Sequence, residues 1–488
     1  MRYNKVLLLN FSYDKSIFKV PKILAGLGYI AEFLKYNNIE YDILDMSLGY
    51  KENDLYKKIE NFRPDLIGIS LMTYRYLESY EKINGLKKKF KDIKIVVGGP
   101  HVSLFREETL KSCNGIDYGI VLEGEQTIVE ICSGIELDKI KGLIFRTDGE
   151  IIFNGERAFI SDLDSIPFPT YDKFELLKYP YKNAPTPIKD ISIVSSRGCP
   201  FSCIYCPVQS AIGKKFRYRS PENIIREIKY WYDKGYRTFW FADDNFTLLA
   251  DRVNKICDLL KESVMTELVL GCGNGIRADK VNRELLEKMK EVGFKTIAFG
   301  VEAGTDKILQ IIKKGETLKD IDTAIKDTTE LGFSVMLFFL IGSPNETVED
   351  IERSFELAKK YPVEDVKFYH ITPYPKTELY DWVIKNNYFV FHPSNYLNDA
   401  NSRLNIPIFE TPELSVKERK RLFLIGNKIS WQLQQKYYQK KFLVIGVPRV
   451  FAIILSKIYQ IEFLHKLINY SPVIRDLKDF IAGKRQVS

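Results

Sequence analysis

Short apolar runs alternate with longer amphipathic segments along the first part of the chain. The strand-like runs are Lys5–Leu9, Tyr41–Leu44, Leu66–Ser70, Ile93–Val97 and Tyr118–Val121. Segments with a helical period lie between several of them, for example Ile23–Leu34 and Tyr76–Phe90. Apolar strands separated by helices are typical of parallel strands that are buried on both faces. The pattern therefore predicts a doubly wound α/β domain over residues 1–140.

The alternation stops between residues 141 and 188. Gly142–Arg146 and Ile151–Phe153 flank the dipeptide Asp148-Gly149, which is typical of a tight hairpin turn. The proline-rich stretches SIPFPTYDKF and YPYKNAPTP follow. Proline and polar residues at this density predict a linker after the hairpin.

A second alternation of strands and helices follows the linker. The predicted strands are Ile191–Ser195, Thr238–Ala242, Leu268–Cys272, Thr296–Gly300, Val335–Ile341 and Asp365–Ile371. The predicted helices are Pro221–Lys234, Arg252–Lys261, Arg283–Glu291, Leu318–Leu331 and Val348–Lys360. Repeated β/α units predict a partial (β/α)6 barrel over residues 189–395, with its chemistry at the C-terminal strand ends. Residues 396–488 have a weak strand signal and predict a helical C-terminal region.

Composition and charge narrow the class of protein. The chain has 488 residues, of which 45% are hydrophobic and 28% charged, which is the balance of a globular protein. A net charge of +8 is mild over this length: it favours anionic cofactors or a membrane surface and is too small to argue for nucleic acid, which we do not expect as a partner. The N-terminal MRYNKVLLLN is typical of a first strand rather than a signal peptide, and no apolar run is long enough to span a bilayer. We therefore expect a cytoplasmic protein with reduced thiols.

Three of the seven cysteines are concentrated in the segment SSRGCPFSCIYCP. Cys199, Cys203 and Cys206 have the spacing C-x3-C-x2-C, directly after the first strand of the second alternation. Three thiolates can hold a [4Fe–4S] cluster and leave one iron open. The alternative is a structural zinc site or a chance group of cysteines. Structural zinc needs four ligands, and the nearest histidines, His101 and His370, are far away in sequence.

This segment resembles the cluster motif of the radical S-adenosylmethionine (SAM) superfamily, and the resemblance extends over about residues 190–375. The resemblance implies that SAM binds the open iron and is cleaved reductively to a 5′-deoxyadenosyl radical. It also implies that Tyr205 shields the cluster on one side.

Further motifs at successive strand ends support this resemblance and imply contacts with SAM. Asp243 and Asp244 follow the second strand and match the region that holds the SAM amino group. Glu302, in GVEAG, matches the ribose and methionine region, and Gly342 and Pro344, in GSPNET, match the adenine turn. Arg277 after the third strand is a candidate partner for the SAM carboxylate, and a salt bridge is the alternative for it. PYP and Thr377 follow the sixth strand, as in many members.

The N-terminal domain resembles the Rossmann-like domain of the cobalamin-binding subfamily. The matching residues include Pro21 and the segment LGYI at 27–30, and those implied to contact cobalamin are Ser70, Gly98, Gly99, Pro100 and Glu125. The sequence has no D-x-H-x-x-G motif, and His101 belongs to a different motif, so we expect cobalamin to bind with its own base detached. The alternative is a flavodoxin-like domain that binds another ligand or supports the barrel.

The C-terminal region leaves two interpretations open. Residues Trp431–Phe480 mix aromatic and aliphatic residues with lysine and arginine. Such a segment can lie on the surface of a membrane, at the inner face, or it can form a helical cap over the open side of the barrel.

These observations predict a cobalamin-dependent radical SAM enzyme that methylates an unactivated carbon of a small-molecule or lipid substrate. The resemblance implies that one SAM supplies the radical, that methylcobalamin delivers the methyl group, and that a reductase, flavodoxin or ferredoxin donates electrons. Oxidative cyclisation or rearrangement is the main alternative, and an iron–sulfur redox or sensor protein is the non-enzymatic one. Methylthiolation of RNA or ribosomal protein is disfavoured because no additional RNA-binding domain is evident. No further catalytic residue is assigned.

Overall fold

The structure is a computed structural model that describes residues 2–11, 23–179, 190–391, 396–398, 406–444 and 446–460, without the side chains of Leu177 and residues 458–460. Pro21, the second half of the predicted linker and the last part of the tail (residues 461–480) lie outside the described residues. The chain forms two compact units. The first consists of Met1–Tyr179, Ser196–Arg219 and Pro373–Asn401, and the second of Pro180–Ser195, Ser220–Thr372 and Ser402–Ser488.

The strands and helices are numbered in chain order. The strands are β1 (Lys5–Asn10), β2 (Glu40–Asp45), β3 (Leu66–Ser70), β4 (Lys94–Gly98), β5 (Tyr118–Ile120), β6 (Leu143–Thr147), β7 (Glu150–Phe153), β8 (Asp190–Ile193), β9 (Ser196–Arg197), β10 (Arg217–Tyr218), β11 (Thr238–Phe241), β12 (Val269–Ile276), β13 (Phe294–Glu302), β14 (Ser334–Ile341) and β15 (Asp365–His370). The helices are α1 (Ala25–Tyr36), α2 (Glu52–Phe62), α3 (Tyr76–Lys89), α4 (Pro100–Phe105), α5 (Glu107–Ser112), α6 (Glu125–Ser133), α7 (Val208–Ala211), α8 (Pro221–Asp233), α9 (Ala250–Glu262), α10 (Arg283–Glu291), α11 (Asp306–Ile311), α12 (Leu318–Glu330), α13 (Val348–Lys360), α14 (Glu378–Lys385), α15 (Val416–Val444) and α16 (Arg449–Gln460).

The first unit is built around a sheet with the strand order β2-β1-β3-β4-β5-β6-β7. The strands from β2 to β5 are parallel, whereas β6 and β7 are antiparallel additions. The predicted doubly wound domain is confirmed, and the hairpin predicted around Asp148-Gly149 extends its sheet. The strand order reverses between β1 and β3, and open α/β sheets bind ligands outside the carboxyl ends of the strands at such a point.

Two short segments from later in the chain complete the first unit. Strands β9 and β10 pair antiparallel, with Arg197 opposite Arg217, and close the loop that contains the three clustered cysteines. The segment around α14 joins the same unit, where the Leu379 N–H donates to the Ile204 carbonyl at 2.9 Å.

The second unit contains a fully parallel sheet with the order β15-β14-β13-β12-β11-β8. Sequential strand order with intervening helices confirms the predicted partial (β/α)6 barrel. Aromatic rings pack along the sheet, with Phe241 stacked on Phe294 and Phe339 stacked on Phe368, and Phe368 also contacts Phe355 of α13. Helices α12 and α13 begin at threonine N-caps with complete capping boxes, which fix where the preceding loops end.

The described part of the C-terminal region is helical, as predicted. Helix α15 packs against the edge strand β15 and helix α13, and Ser430 Oγ donates to Asp365 Oδ1 at 3.0 Å. Helix α16 packs on α15. This packing agrees with the cap interpretation for α15. Within the described part of the chain, no helix combines the length and the apolar content needed to cross a membrane.

Candidate functional site

The three clustered cysteines lie in one loop of the first unit. Cys199, Cys203 and Cys206 are each partly exposed, whereas the other four cysteines are buried. The Cys206 N–H donates to the Cys203 carbonyl at 3.1 Å, so the last two cysteines share a turn. In the described residues, no group of three or more His, Cys, Asp or Glu side chains is placed to hold a metal ion. The number, chemistry and accessibility of the three thiols fit an iron–sulfur cluster. The thiols are not close enough together in this structure to form a metal site.

Two aromatic residues accompany these thiols. Tyr205, predicted to shield the cluster, is half-buried within the loop. Tyr374, in the PYP segment, belongs to the same unit, and burial together with the nearby Cys206 raises the pKa of its hydroxyl. The sequence analysis matched the PYP motif to the family but did not predict that Tyr374 lies near Cys206.

Adjacent carboxylates follow strand β11 in the second unit, and their surroundings differ. Asp243 is buried and accepts hydrogen bonds from both the N–H (2.7 Å) and the hydroxyl of Ser195. Arg252 fixes Ser195 in turn by donating to its carbonyl at 2.8 Å. Asp244 has no hydrogen-bond partner in the described part of the chain, and burial together with Asp243 raises its pKa to about 6. Asp244 is therefore the carboxylate that is available to a cationic ligand.

Asn245 completes this turn and was not singled out in the sequence. Its side chain is 1% exposed, and neither amide atom has a hydrogen-bond partner among the described residues. Buried amides usually bond on both atoms, so this one marks a place that a polar ligand or water would complete.

Glu302, at the end of strand β13, belongs to a buried ionic network. It has a positive φ of 66° and accepts a hydrogen bond from Lys314 Nζ at 3.1 Å. Lys314 also lies 3.3 Å from Glu316, whose carboxylate accepts from the Ala278 N–H at 2.5 Å. The network links the ends of β12 and β13 to the loop before α12, and it fixes the Glu302 carboxylate. Its sequence signal, the alternation of Lys314 and Glu316 with exposed positions, is too weak to identify it.

Arg277 belongs to the same network. Its Nε donates to Asp279 at 2.8 Å, and its two terminal nitrogens donate to the carbonyls of residues 314 and 315 at 2.5 and 3.0 Å. All three nitrogens are therefore engaged by protein oxygens. Arg277 therefore forms a buried salt bridge with Asp279, which was the alternative to a SAM contact. These bonds argue against the predicted pairing of Arg277 with the SAM carboxylate.

The turn after strand β14 is held by a buried carboxylate. Glu346 accepts the N–H groups of Gly342 (2.6 Å) and Ser343 (3.0 Å), and burial raises its pKa to about 7. Gly342 has a φ of +96°, and a Cβ there would overlap the guanidinium of Arg419. Glycine is thus required by both the backbone and Arg419. Pro344, the other predicted adenine contact, is buried in this turn.

Arg419 was not predicted as a site residue because it comes from α15, far along the chain. It is 1% exposed, lies over the Phe409 ring at 4.2 Å, and has one terminal nitrogen without a hydrogen-bond partner in the described residues. Burial lowers its pKa to about 10. The C-terminal region therefore contributes directly to the turn after β14.

The residues predicted to contact cobalamin meet at the carboxyl ends of strands in the first unit. Ser70 ends β3 opposite Asn10 of β1 and Gly98 of β4, so it lies at the point where the strand order reverses. Gly99 has a φ of +104°, and a Cβ there would lie 3.0 Å from the Leu71 carbonyl oxygen. Pro100 is exposed at the start of α4. These four residues form one accessible edge.

His101 and Glu125 are engaged elsewhere in the same unit. His101 is fully buried, hydrogen-bonded to the Tyr80 hydroxyl at 2.7 Å, and burial lowers its pKa to about 3. It is a core residue of the first unit. Glu125 is also buried, and its carboxylate accepts from Arg197 at 2.7 Å. This contact argues against the predicted role of Glu125 at cobalamin.

Comparison with known proteins identifies two families along the chain. A profile of the radical SAM superfamily matches residues 193–358, and a profile of the B12 binding domain matches residues 23–132. An uncharacterized methyltransferase of Pyrococcus horikoshii is 31% identical over 395 residues, which cover 79% of this chain and 84% of that protein. An anaerobic magnesium-protoporphyrin IX monomethyl ester cyclase of Rubrivivax gelatinosus is 25% identical over 73% of this chain and 65% of its own length.

A solved structure shares the fold. It is the radical S-adenosylmethionine methyltransferase TsrM of Kitasatospora setae, with cobalamin and a [4Fe–4S] cluster bound. The two chains are 18% identical, the comparison covers 87% of this chain and 82% of TsrM, and the TM-score is 0.65.

Proposed function

The chain belongs to the radical SAM superfamily, in the branch that carries a B12-binding domain, and we propose that it methylates an unactivated carbon of a small-molecule or lipid substrate. Its cofactors are a [4Fe–4S] cluster, SAM and cobalamin. The observation that carries the proposal is that one compact unit contains both the edge at Ser70 and Gly98 and the loop with the three clustered cysteines. When bound, the cluster supplies the electron that cleaves SAM, and cobalamin supplies the methyl group.

Cys199, Cys203 and Cys206 hold the cluster in this proposal, and Tyr205 covers one side of it. Their partial exposure supports the assignment, because a cluster that binds SAM needs an open face. The four buried cysteines have no part in it.

On the SAM side, Asp244 binds the amino group and Asp243 positions the turn through Ser195. The support is that the Asp244 carboxylate has no protein partner among the described residues, whereas Asp243 is fully engaged. Glu302 contacts the ribose, and Lys314 fixes its carboxylate. Gly342 and Pro344 contact the adenine through the turn held by Glu346, and Arg277 positions neighbouring backbone instead of binding SAM.

On the cobalamin side, Ser70, Gly98, Gly99 and Pro100 receive the cofactor at the carboxyl ends of the strands. The strand-order reversal at β1 and β3 supports this place. The burial of His101 supports binding without a histidine on the lower face.

The experiment that tests methyl transfer uses labelled methionine. Cells that produce the full chain with added cobalamin are grown on methionine with a ¹³C-labelled methyl group, and small-molecule and lipid extracts are compared by mass spectrometry. We expect a labelled product that depends on cobalamin, and purified enzyme supplied with that product's precursor should release 5′-deoxyadenosine and S-adenosylhomocysteine in equal amounts. The C203A variant serves as the control without a cluster.

Cyclisation or rearrangement gives a different result. The product would then form with 5′-deoxyadenosine alone and carry no labelled methyl group, and that outcome would contradict methyl transfer. The similarity to a cyclase of Rubrivivax gelatinosus makes this the second candidate reaction.

The exposed side chains of the C-terminal helices support two parts of the proposal, a contact with the membrane surface and a lipid substrate. Val450, Phe451 and Ile454 lie on one face of α16 and are 67, 60 and 48% exposed. Lys440 and Lys441 of α15 and Arg449 and Lys457 of α16 are also exposed, and the sequence contains no acidic residue from 431 to 460. Exposed apolar residues in a basic segment are complementary to an anionic lipid surface.

A further inference from the structure

The loop with the three clustered cysteines is closed at both ends by arginines. Arg197 and Arg217 are opposite each other in the β9–β10 pair, so the loop of residues 198–216 begins and ends beside a guanidinium. Both arginines belong to the first unit, together with the segment EGE that follows β5.

Both guanidinium groups bond the glutamates of this segment. Glu123 Oε1 accepts from Arg197 at 3.0 Å and from Arg217 at 2.7 Å, so one carboxylate joins the two ends of the loop. Glu125 accepts from the second terminal nitrogen of Arg197 at 2.7 Å. The four side chains are between 2 and 12% exposed.

Neighbouring groups fix the geometry of this cluster of four charges. Glu123 Oε2 accepts from the Ile160 N–H at 2.9 Å, and Arg217 donates to the Ile160 carbonyl at 2.8 Å. Aromatic rings cover the guanidinium groups, Tyr29 at 5.3 Å from Arg197 and Phe159 at 4.5 Å from Arg217. Two positive and two negative charges balance, which buried ionic groups require. Removing any one of them leaves an uncompensated charge.

We propose that Glu123 and Glu125 are positioning residues for the cysteine loop, so that the B12-binding domain holds the place where the iron–sulfur cluster forms. The inference rests on the proposed assignment of Cys199, Cys203 and Cys206 to the cluster. It gives Glu125 a role different from the cobalamin contact predicted from the sequence. Loss of either carboxylate opens the loop and exposes the cluster, while the edge at Ser70 and Gly98 stays intact.

The test compares E123Q and E125Q in the full chain, each reconstituted with iron, sulfide and hydroxocobalamin without oxygen. We expect iron to be lost to an added chelator about tenfold faster than in the wild type, because charge-assisted hydrogen bonds are among the stronger ones. The corrin content and its absorption spectrum should stay unchanged, and the signal of the reduced cluster should shift. E125Q is the milder variant, since Glu125 contacts only one of the two arginines.

The matched control is E130Q. Glu130 also pairs with an arginine of the first unit, Arg157, which follows strand β7. Iron retention like that of the wild type in E130Q would link the effect to the cysteine loop. If E125Q loses corrin and keeps its iron, Glu125 is a cobalamin contact and the proposal is wrong. Iron and corrin retention equal to the wild type in both variants would also overturn it.

A second measurement does not depend on any cofactor. Hydrogen exchange of residues 198–216 in the chain without iron should be faster in E123Q and E125Q than in the wild type and E130Q. Equal exchange would contradict the positioning role even if E123Q proved difficult to reconstitute. A wild-type chain that takes up no iron would refute the proposed cluster instead, and the exchange result would still decide the role of the glutamates.

Discussion

Asp243 and Asp244 are adjacent in sequence, yet only one of them is available to a ligand. Ser195 satisfies Asp243 through its N–H and hydroxyl, and Arg252 holds Ser195. Asp244 accepts no hydrogen bond from the described residues. Because it is largely buried and lies next to the negative charge of Asp243, its pKa rises to about 6. A carboxylate in this state gains most from a cation, and the SAM amino group is one.

The raised pKa of Asp244 predicts a pH-dependent affinity for SAM. The ionised carboxylate binds the ammonium group, so the affinity should increase as the pH rises through about 6, with roughly a tenfold loss per pH unit below that value. The stability of the chain without SAM depends on pH in the opposite direction. The folded chain binds this proton more tightly than the unfolded chain, so the free energy of unfolding falls as the pH rises from 3.8 to about 6.

Equilibrium dialysis of SAM against reconstituted protein between about pH 5.5 and about pH 8 measures the effect, with iron content checked at each pH. D244N should bind weakly and without this pH dependence. D251N changes an exposed aspartate of α9 and should behave like the wild type. An unchanged affinity in D244N would remove Asp244 from the site.

Gly98 offers a sharper test of the cobalamin site than Gly99. A Cβ at Gly98 meets Ile120 at an ordinary 3.8 Å, whereas Gly99 is strained by its φ of +104° whatever replaces it. G98L should therefore fill the space of the cofactor and lower the corrin content about tenfold or more, while iron binding survives. G98A is the control and should retain cobalamin. Absorption spectroscopy measures the corrin content of the purified proteins, and iron analysis measures the cluster content. A normal corrin content in G98L would place cobalamin elsewhere.

At the scale of elements, one buried lysine joins the ends of β12 and β13 to the segment before α12. Lys314 lies between Glu302 and Glu316, and all three side chains are at most 11% exposed. Burial raises the pKa of Glu316, and Lys314 opposes that shift. The strand ends that carry the proposed SAM contacts therefore depend on a charge in a loop.

The variant K314M should lower the free energy of unfolding by about 3 kcal/mol, because it removes the lysine that lies between two buried carboxylates. The loss should be smaller at low pH, because the pKa of Glu316 is raised and its protonation removes one of the two negative charges. Adding E316Q should recover part of the loss for the same reason. Urea unfolding without oxygen measures both effects. K326M, at an exposed position of α12, is the control. A loss in K314M no larger than in K326M would show that the network is not coupled to folding.

At the scale of the whole molecule, the positive charge of the chain is unevenly placed. The net charge is +8, and residues 431–460 contribute lysine and arginine with no acidic residue. Helix α15, which contains the first part of this basic segment, packs on β15 and α13 in the second unit.

Full-length protein should sediment with vesicles that contain an anionic phospholipid and remain in solution with neutral vesicles. Replacing Val450, Phe451 and Ile454 together by serine should weaken binding at least about tenfold, because three apolar side chains are lost from the contact. V264S changes a valine that is 84% exposed elsewhere and should have no effect. Failure of the wild type to bind anionic vesicles would refute the membrane contact and weaken the case for a lipid substrate.

The sequence by itself determined the features that depend on local order. Buried strands and helices repeat with short periods, so both α/β domains and most strand positions could be predicted within a few residues. The spacing of Cys199, Cys203 and Cys206 is likewise local. Residues at the ends of successive strands meet at one edge in any parallel sheet, as Ser70 and Gly98 do.

Only the tertiary structure decided which of these residues are available to a ligand. Glu123 and Arg217 are 94 residues apart, Glu125 and Arg197 72, and Arg419 reaches Gly342 from a helix of the C-terminal region. Whether a buried carboxylate binds a cofactor or an arginine depends on which partner the fold brings within about 3 Å, because hydrogen bonds and ion pairs in the interior act at contact distance. That partner is set by the packing of distant segments, and no local pattern in the sequence carries it.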